Sequence, residues 1–288
     1  MSTVASLVKT FPVVSYAVVT FGLSWGAVLI VIGGPAGIPA DAGRLDALLP
    51  LVVLGLTVGP LVAGLVSTGL ARGAAGYATF LARARRWRVG LGWYAVALLT
   101  APLLATVTLC ALSLASPAFH PGIVTSPDPA SLVMGAIVAG LAGGLLEEPG
   151  WTGFAVPEMR RRHGLFTTGL AVGALWGGWH LIVAVWGSGT PSGAFSGALL
   201  GSQLLFYVGV LPAYRVLMAW TFERTDSLLL AMLMHASLTG GVLFVFMPAE
   251  IGPGGLAAWY GAMTLAAWLL VTGVAVVRGR RRFPKAHT

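Results

Sequence analysis

Charge is scarce in this sequence. Only 9% of its 288 residues are Asp, Glu, Lys or Arg, and Asp and Glu together number nine. A soluble domain carries about 25% charge, so a water-soluble globular protein is excluded. Cysteine is nearly absent: Cys110 stands alone, which rules out an intrachain disulfide and any cysteine metal cluster. The apolar runs do not alternate with polar residues, which excludes a membrane β-barrel. No linker, low-complexity tract or internal repeat interrupts the chain, so 1–288 reads as a single integral membrane domain.

What the sequence has is long apolar runs. Runs of about 20 apolar residues are candidate membrane-spanning helices. Eight are present: Phe11–Ile32, Leu48–Leu70, Trp93–Ser116, Leu132–Phe154, Leu165–Trp186, Phe195–Trp220, Ser227–Met247 and Leu256–Val277. The expected fold is an all-α, multi-pass transmembrane bundle of about eight helices. The first run exceeds the apolar core of a cleaved signal peptide and is expected to be retained.

Basic residues set the expected orientation. Cytoplasmic loops carry excess Lys and Arg. With the N-terminus inside, the inner loops and tails hold 15 of the 17 basic residues. Both termini are therefore expected on the cytoplasmic side. The net charge of +8 then reads as an anchor to anionic lipid, not as a nucleic-acid surface. Tyr77–Arg88, with Phe80, Leu81 and Trp87 among four arginines, reads as a short interfacial helix. Arg278–Lys285 reads as a lipid-facing anchor.

Glycines recur four apart in three runs: Gly140 and Gly144, then Gly169, Gly173 and Gly177, then Gly193, Gly197 and Gly201. Such strips let membrane helices approach closely. The fourth to sixth helices are expected to form a tight cluster.

Ionisable groups inside the runs are few, and such groups mark functional sites by default. Glu147 and Glu148 end the apolar stretch of the fourth run, just before Pro149 and Gly150; His180, Arg215 and His235 lie in the fifth, sixth and seventh. Proline lacks the N–H that would bond the Leu145 carbonyl, so a kink or helix end is expected there. Irregular backbone at membrane depth needs protein or water around it, which predicts a hydrated pocket beside the glutamates. The glutamates lie about 100° apart on a helix and are expected to do different jobs. From helix rise, Glu147 and His235 lie roughly 10 and 12 Å from the inner surface, and His180 roughly 20 Å. Trp151, Trp179 and Trp186 read as packing or interface residues. Trp176, one turn before His180, stands apart from them.

These residues carry a resemblance. Glu147-Glu148-Pro149-Gly150-Trp151-Thr152-Gly153-Phe154 resembles the first motif of the CAAX protease and bacteriocin-processing family of intramembrane proteases: a glutamate pair, three residues, then usually arginine. Trp176 to His180 resembles the second motif, an aromatic residue four before histidine. His235 to Thr239 resembles the third, a histidine four before asparagine or a similar polar residue. The resemblance spans roughly 77–247. Two positions depart from it. Thr152 stands where arginine is usual, removing a cationic partner for a glutamate, and Thr239 stands where asparagine is usual.

The resemblance implies peptide-bond hydrolysis by an activated water. The catalytic set is then Glu147, Glu148, His180, His235 and Thr239. Glu147, assisted by His180, is expected to act as general base, with His235 and Thr239 stabilising the oxyanion. Glu148 is expected to orient the kinked segment or His180. No cofactor is expected, although zinc on Glu147, His180 and His235 is the alternative, since one glutamate and two histidines match a catalytic zinc set. The expected partners are a membrane-associated peptide or protein substrate, CAAX-like, and the lipid bilayer. The arginine-rich, lysine-poor, Ala- and Gly-rich composition points to a bacterial inner membrane. The competing readings are a catalytically silent binding or immunity protein on the same scaffold, and a small-solute transporter.

Overall fold

A computed structural model describes residues 3–249 and 251–282. Eight helices are long and apolar enough to cross a membrane. We label them α1 (Pro12–Ile32), α2 (Ala42–Ala84), α3 (Leu91–Ser113), α4 (Pro129–Arg160), α5 (Leu165–Trp186), α6 (Gly197–Thr225), α7 (Leu228–Val245) and α8 (Pro253–Val277). Among the described residues, pairing outside helices is limited to one isolated bridge between Gly189 and Phe195. Helices satisfy their own backbone groups, which lipid cannot do. The ends are capped by side chains: Asp41, Asp128, Ser196 and Ser227 accept from the amides of Arg44, Ser131, Leu199 and Leu230. Asp128 is held below its ordinary carboxylate range by the hydroxyl and amide of Ser131.

α2 is longer than its apolar run. It breaks at Gly73, whose φ of 59° suits glycine, and resumes as a helix to Ala84, four residues short of the expected Tyr77–Arg88 stretch. The basic tail Arg278–Lys285 lies outside the residues whose side chains are described.

The glycine strips pair helices, but not as the three-helix cluster expected. A Cβ on Gly140 or Gly144 of α4 would lie 2.6 or 2.5 Å from the carbonyl oxygens of Ala236 and Met232 on α7. Gly169 and Gly173 of α5 are equally tight against Val216 and Pro212 of α6, at 2.6 Å each. So α4 lies on α7, and α5 on α6. The third strip brings no helices close: Gly193 sits in a loop with φ +85°, where a Cβ would meet Asp41 at an ordinary 3.4 Å, and a Cβ on Gly201 would meet open space. Its spacing falls on a stretch that is helical only from Gly197.

α6 is the innermost helix. In its apolar window 67% of residues are buried, against 22% in α4 and α8. From Leu211 to Ala219 every residue is buried, Arg215 included. A helix apolar on all sides belongs in the centre of a bundle. One apolar cluster runs from Tyr16 to Val271 and ties the helices together.

Candidate active site

α4 does not end at Pro149. It continues to Gly150 and widens into a π-helical turn, Trp151–Ala155, before resuming as Val156–Arg160. The Trp151 amide bonds the carbonyls of both Glu147 and Glu148. The helix thus runs through Pro149, and its pitch changes two residues later, where the Val156 amide bonds the Trp151 carbonyl. Two more π turns follow the same pattern: Leu205–Val210 in α6 contains Tyr207, and Gly241–Val245 follows His235 and Thr239. Such turns are frequent at functional sites.

Glu147 and Glu148 are 4% and 0% exposed, and His235 is 2% exposed. The two carboxylates meet the two nitrogens of the His235 ring. Glu148 Oε1 is 2.7 Å from Nδ1, and Glu147 Oε1 is 3.7 Å from Nε2. Helical angle suggested that the two glutamates face apart; the imidazole lies between them and is reached by both.

Glu148 is fully engaged. Its Oε1 accepts from Arg215 Nη2 at 3.0 Å and contacts His235 Nδ1; its Oε2 accepts from Arg215 Nη1 at 2.7 Å and from the Thr152 hydroxyl at 2.5 Å. A carboxylate has about four lone-pair sites, and all are taken. An ionised carboxylate can only accept, so His235 Nδ1 carries a proton. Sequence spacing suggested that Glu148 orients the kinked segment or His180. It holds His235 and, through Thr152, the π turn.

Glu147 is lightly engaged. Trp176 Nε1 donates to its Oε2 at 2.8 Å. Its Oε1 faces His235 Nε2 beyond hydrogen-bond length. Gly143 keeps this face open. A Cβ there would lie 2.9 Å from His235 Nε2 and 3.6 Å from Thr239 Oγ1. Thr239 is half-buried and lies on the same face as His235.

His180 stands apart. It closes the first part of α5, Leu165–Trp179, and its Nδ1 lies 2.8 Å from the Trp176 carbonyl oxygen. Its ring stacks on Tyr207 with centroids 4.8 Å apart and planes 11° apart. Among the described residues it makes no hydrogen bond to Glu147, Glu148 or His235. Trp176 spans the depth gap instead, with its ring 6.0 Å from His180 and 5.0 Å from His235. Trp151, Trp179 and Trp186 are buried packing residues. Trp176 is the one of the four tied to a glutamate, as its place before His180 suggested.

The sequence reading named Arg215 but gave it no role, and it passed over Tyr207. Arg215 supplies Glu148 with the cation that position 152 lacks, from 67 positions along the chain from Glu148. Tyr207 flanks His180. Arg215 had a signal: it is the one arginine well inside a predicted span. Tyr207 had none, being one aromatic residue in an apolar run.

A cavity of about 330 Å³ opens beside the π turn, lined by Gly153, Phe154, Phe80, Arg72, Arg83 and Glu158 among others. The two buried carboxylates do not line it. Around it the basic loops gather, with Arg72 on Glu158, Arg83 on Asp226 at 2.7 Å and Arg160 on Glu223 at 2.8 Å.

Among the described residues, no group of three His, Cys, Asp or Glu side chains is placed to hold a metal ion. His180 is turned towards its own helix and Tyr207, so Glu147, His180 and His235 do not converge as a donor set.

Residues 129–241 match the family described as type II CAAX prenyl endopeptidase, Rce1-like. Over this stretch the chain is similar to the Rce1-like family. The match covers less than half of the chain and includes α4 to α7 up to Gly241, hence every residue of the site. Among curated proteins none matches the chain. An Rce1-like core in an eight-span membrane protein supports an intramembrane endopeptidase in general.

Proposed function

We propose that this protein hydrolyses peptide bonds of a membrane-associated, CAAX-like peptide or protein substrate, using Glu147 as general base on a water. The reading rests on one observation: of two adjacent buried carboxylates, Glu148 has every acceptor site filled and Glu147 does not. Only Glu147 retains an acceptor face for a water proton.

The step balances on the residues present. Glu147 takes a proton from water, the hydroxide oxygen bonds the scissile carbonyl carbon, and the carbonyl oxygen becomes an oxyanion. Two carboxylates and one guanidinium leave the cluster with one net negative charge. An imidazolium at His235 balances it, and its Nε2–H then donates to the oxyanion beside the Thr239 hydroxyl. Collapse breaks the C–N bond, and Glu147 passes its proton to the leaving amine. Trp176 holds Glu147 in place. His180 lines the site against Tyr207 and acts on Glu147 through Trp176.

We place both termini on the cytoplasmic side of a bacterial inner membrane. The gathering of Arg72, Arg83, Arg86 and Arg160 at one end of the bundle supports this orientation. We read the chain as a single domain with its protease core near 77–247; the continuous apolar cluster supports the single domain.

The test is cleavage of a peptide library by purified protein in liposomes. Wild type is expected to cleave, and Glu147→Ala and His235→Ala to lose activity while remaining monodisperse. Full activity in either variant sinks the assignment. Peptide binding without cleavage by wild type supports the silent scaffold, and solute uptake supports the transporter.

A further inference from the structure

Arg215 and Thr152 form one unit. The arginine is 0% exposed, as is Thr152. Its guanidinium grips Glu148 through both Nη atoms, and Nη1 also donates to the Thr152 hydroxyl at 3.2 Å. Thr152 in turn donates to Glu148. Below the guanidinium lies the Trp176 ring, with Cζ 4.0 Å from its centroid, a cation–π distance. Trp176 is the residue that holds Glu147. Arg215 therefore reaches both carboxylates, one directly and one through an indole.

The bundle is built to admit this side chain. A Cβ on Gly173 would lie 3.0 Å from the Arg215 Cβ. Glycine at that point of α5 leaves room for the arginine stem to pass between α5 and α6. A bulkier residue there would push the guanidinium away from Glu148.

A buried carboxylate without a cation is strongly disfavoured. Glu148 needs one positive partner, and space for one exists at two points. Thr152 sits one turn beyond Glu148 on α4, in contact with the same carboxylate oxygen that Arg215 Nη1 holds. A longer cationic side chain at 152 would reach Glu148 from within α4, but only if the Arg215 guanidinium vacated the volume.

We propose that Arg215 is a positioning residue for the reaction. It fixes Glu148 as a charged acceptor, Glu148 fixes the His235 Nδ1–H, and the ring thereby presents Nε2 to Glu147 and the oxyanion. Positions 152 and 215 are interchangeable sources of that one cation. This rests on the proposed peptidase reading, but its test has a readout that does not.

The variants are Arg215→Met, Thr152→Arg and the double variant Thr152→Arg/Arg215→Met. Kinetics use whichever peptide the wild type cleaves. The second readout is the imidazole ¹⁵N spectrum of histidine-labelled protein, with His235 assigned by its loss in His235→Gln. Arg215→Met is expected to lower kcat by about 10²–10⁴-fold, the scale of a mis-oriented catalytic imidazole, with KM within about threefold. Its His235 Nδ1 resonance should move. Thr152→Arg alone should also be impaired, because two guanidinium groups compete for one carboxylate. The double variant should recover at least about tenfold in kcat over Arg215→Met and return the His235 resonance.

Monodisperse Arg215→Met with wild-type kcat and an unmoved resonance overturns the proposal. A double variant as slow as Arg215→Met, with the resonance still displaced, overturns the interchange. If Arg215→Met does not fold, Arg215→Lys carries the test: one ammonium cannot reproduce the two-pronged grip, so kcat should fall and the resonance move, and no change in either overturns the proposal. If the wild type cleaves nothing, the peptidase reading fails and the ¹⁵N arm alone decides whether Arg215 orients His235.

Discussion

Arg215 and Glu148 are both fully buried, whereas Arg83 and Asp226, near one end of the same bundle, are 25% and 41% exposed. Both are arginine–carboxylate pairs with a 2.7 Å contact. In the interior every acceptor site of Glu148 is filled, while Arg215 Nε has no hydrogen-bond partner. At the end of the bundle Asp226 shares two arginines, the second at 3.3 Å, and solvent reaches all three. The difference teaches what each pair is for. Exposed pairs contribute about 0–1 kcal/mol because water and salt screen them. A buried pair costs desolvation and gives little net stability, yet removing one partner costs about 3–5 kcal/mol. Such a pair fixes geometry, and here the geometry is that of His235.

Breaking the interior pair is the largest test of this contrast. Glu148→Ala leaves Arg215 without a counter-charge, and we expect a loss of about 3–5 kcal/mol in unfolding free energy, read by thermal unfolding in detergent. An unfolding midpoint equal to wild type would show that the pair is not needed. Trp176→Phe is a gentler probe. It keeps an aromatic face under Arg215 and removes the N–H on Glu147 together with part of the indole volume, so kcat should fall by about tenfold, the value of one hydrogen bond to a charged group, with a smaller drop in unfolding midpoint than for Glu148→Ala. Equal losses in both would mean that Trp176 is a packing residue. Asp226→Asn should do least: within about 1 kcal/mol of wild type, and less at high salt. A change as large as that of Glu148→Ala would erase the distinction between the two regions.

How much of this was legible follows the range of each interaction. The eight spans were readable because lipid imposes length and apolarity on each one locally. The pairing of α4 with α7 was not, since Gly140 and Gly144 announce a close neighbour without naming it. The site residues Glu147, Glu148, His180 and His235 stood out as ionisable groups in apolar runs. Their wiring did not. Trp176, not His180, touches Glu147, and the cation for Glu148 comes from α6. The Thr152 position suggested a missing charge because spacing along α4 says nothing of a guanidinium reaching in from another helix. Proline at 149 suggested a break, but the helix runs through it and widens two residues later, which a one-dimensional pattern does not encode.

The claim that Glu147, and not its neighbour, takes the proton from water is tested most directly by single-turnover cleavage with Glu147→Gln in liposomes. Glutamine keeps the size and can still accept from Trp176, but it cannot act as base. The account predicts a rate at least about 10²–10⁴-fold below wild type, with substrate affinity retained and the protein monodisperse. A rate within about threefold of wild type would contradict it.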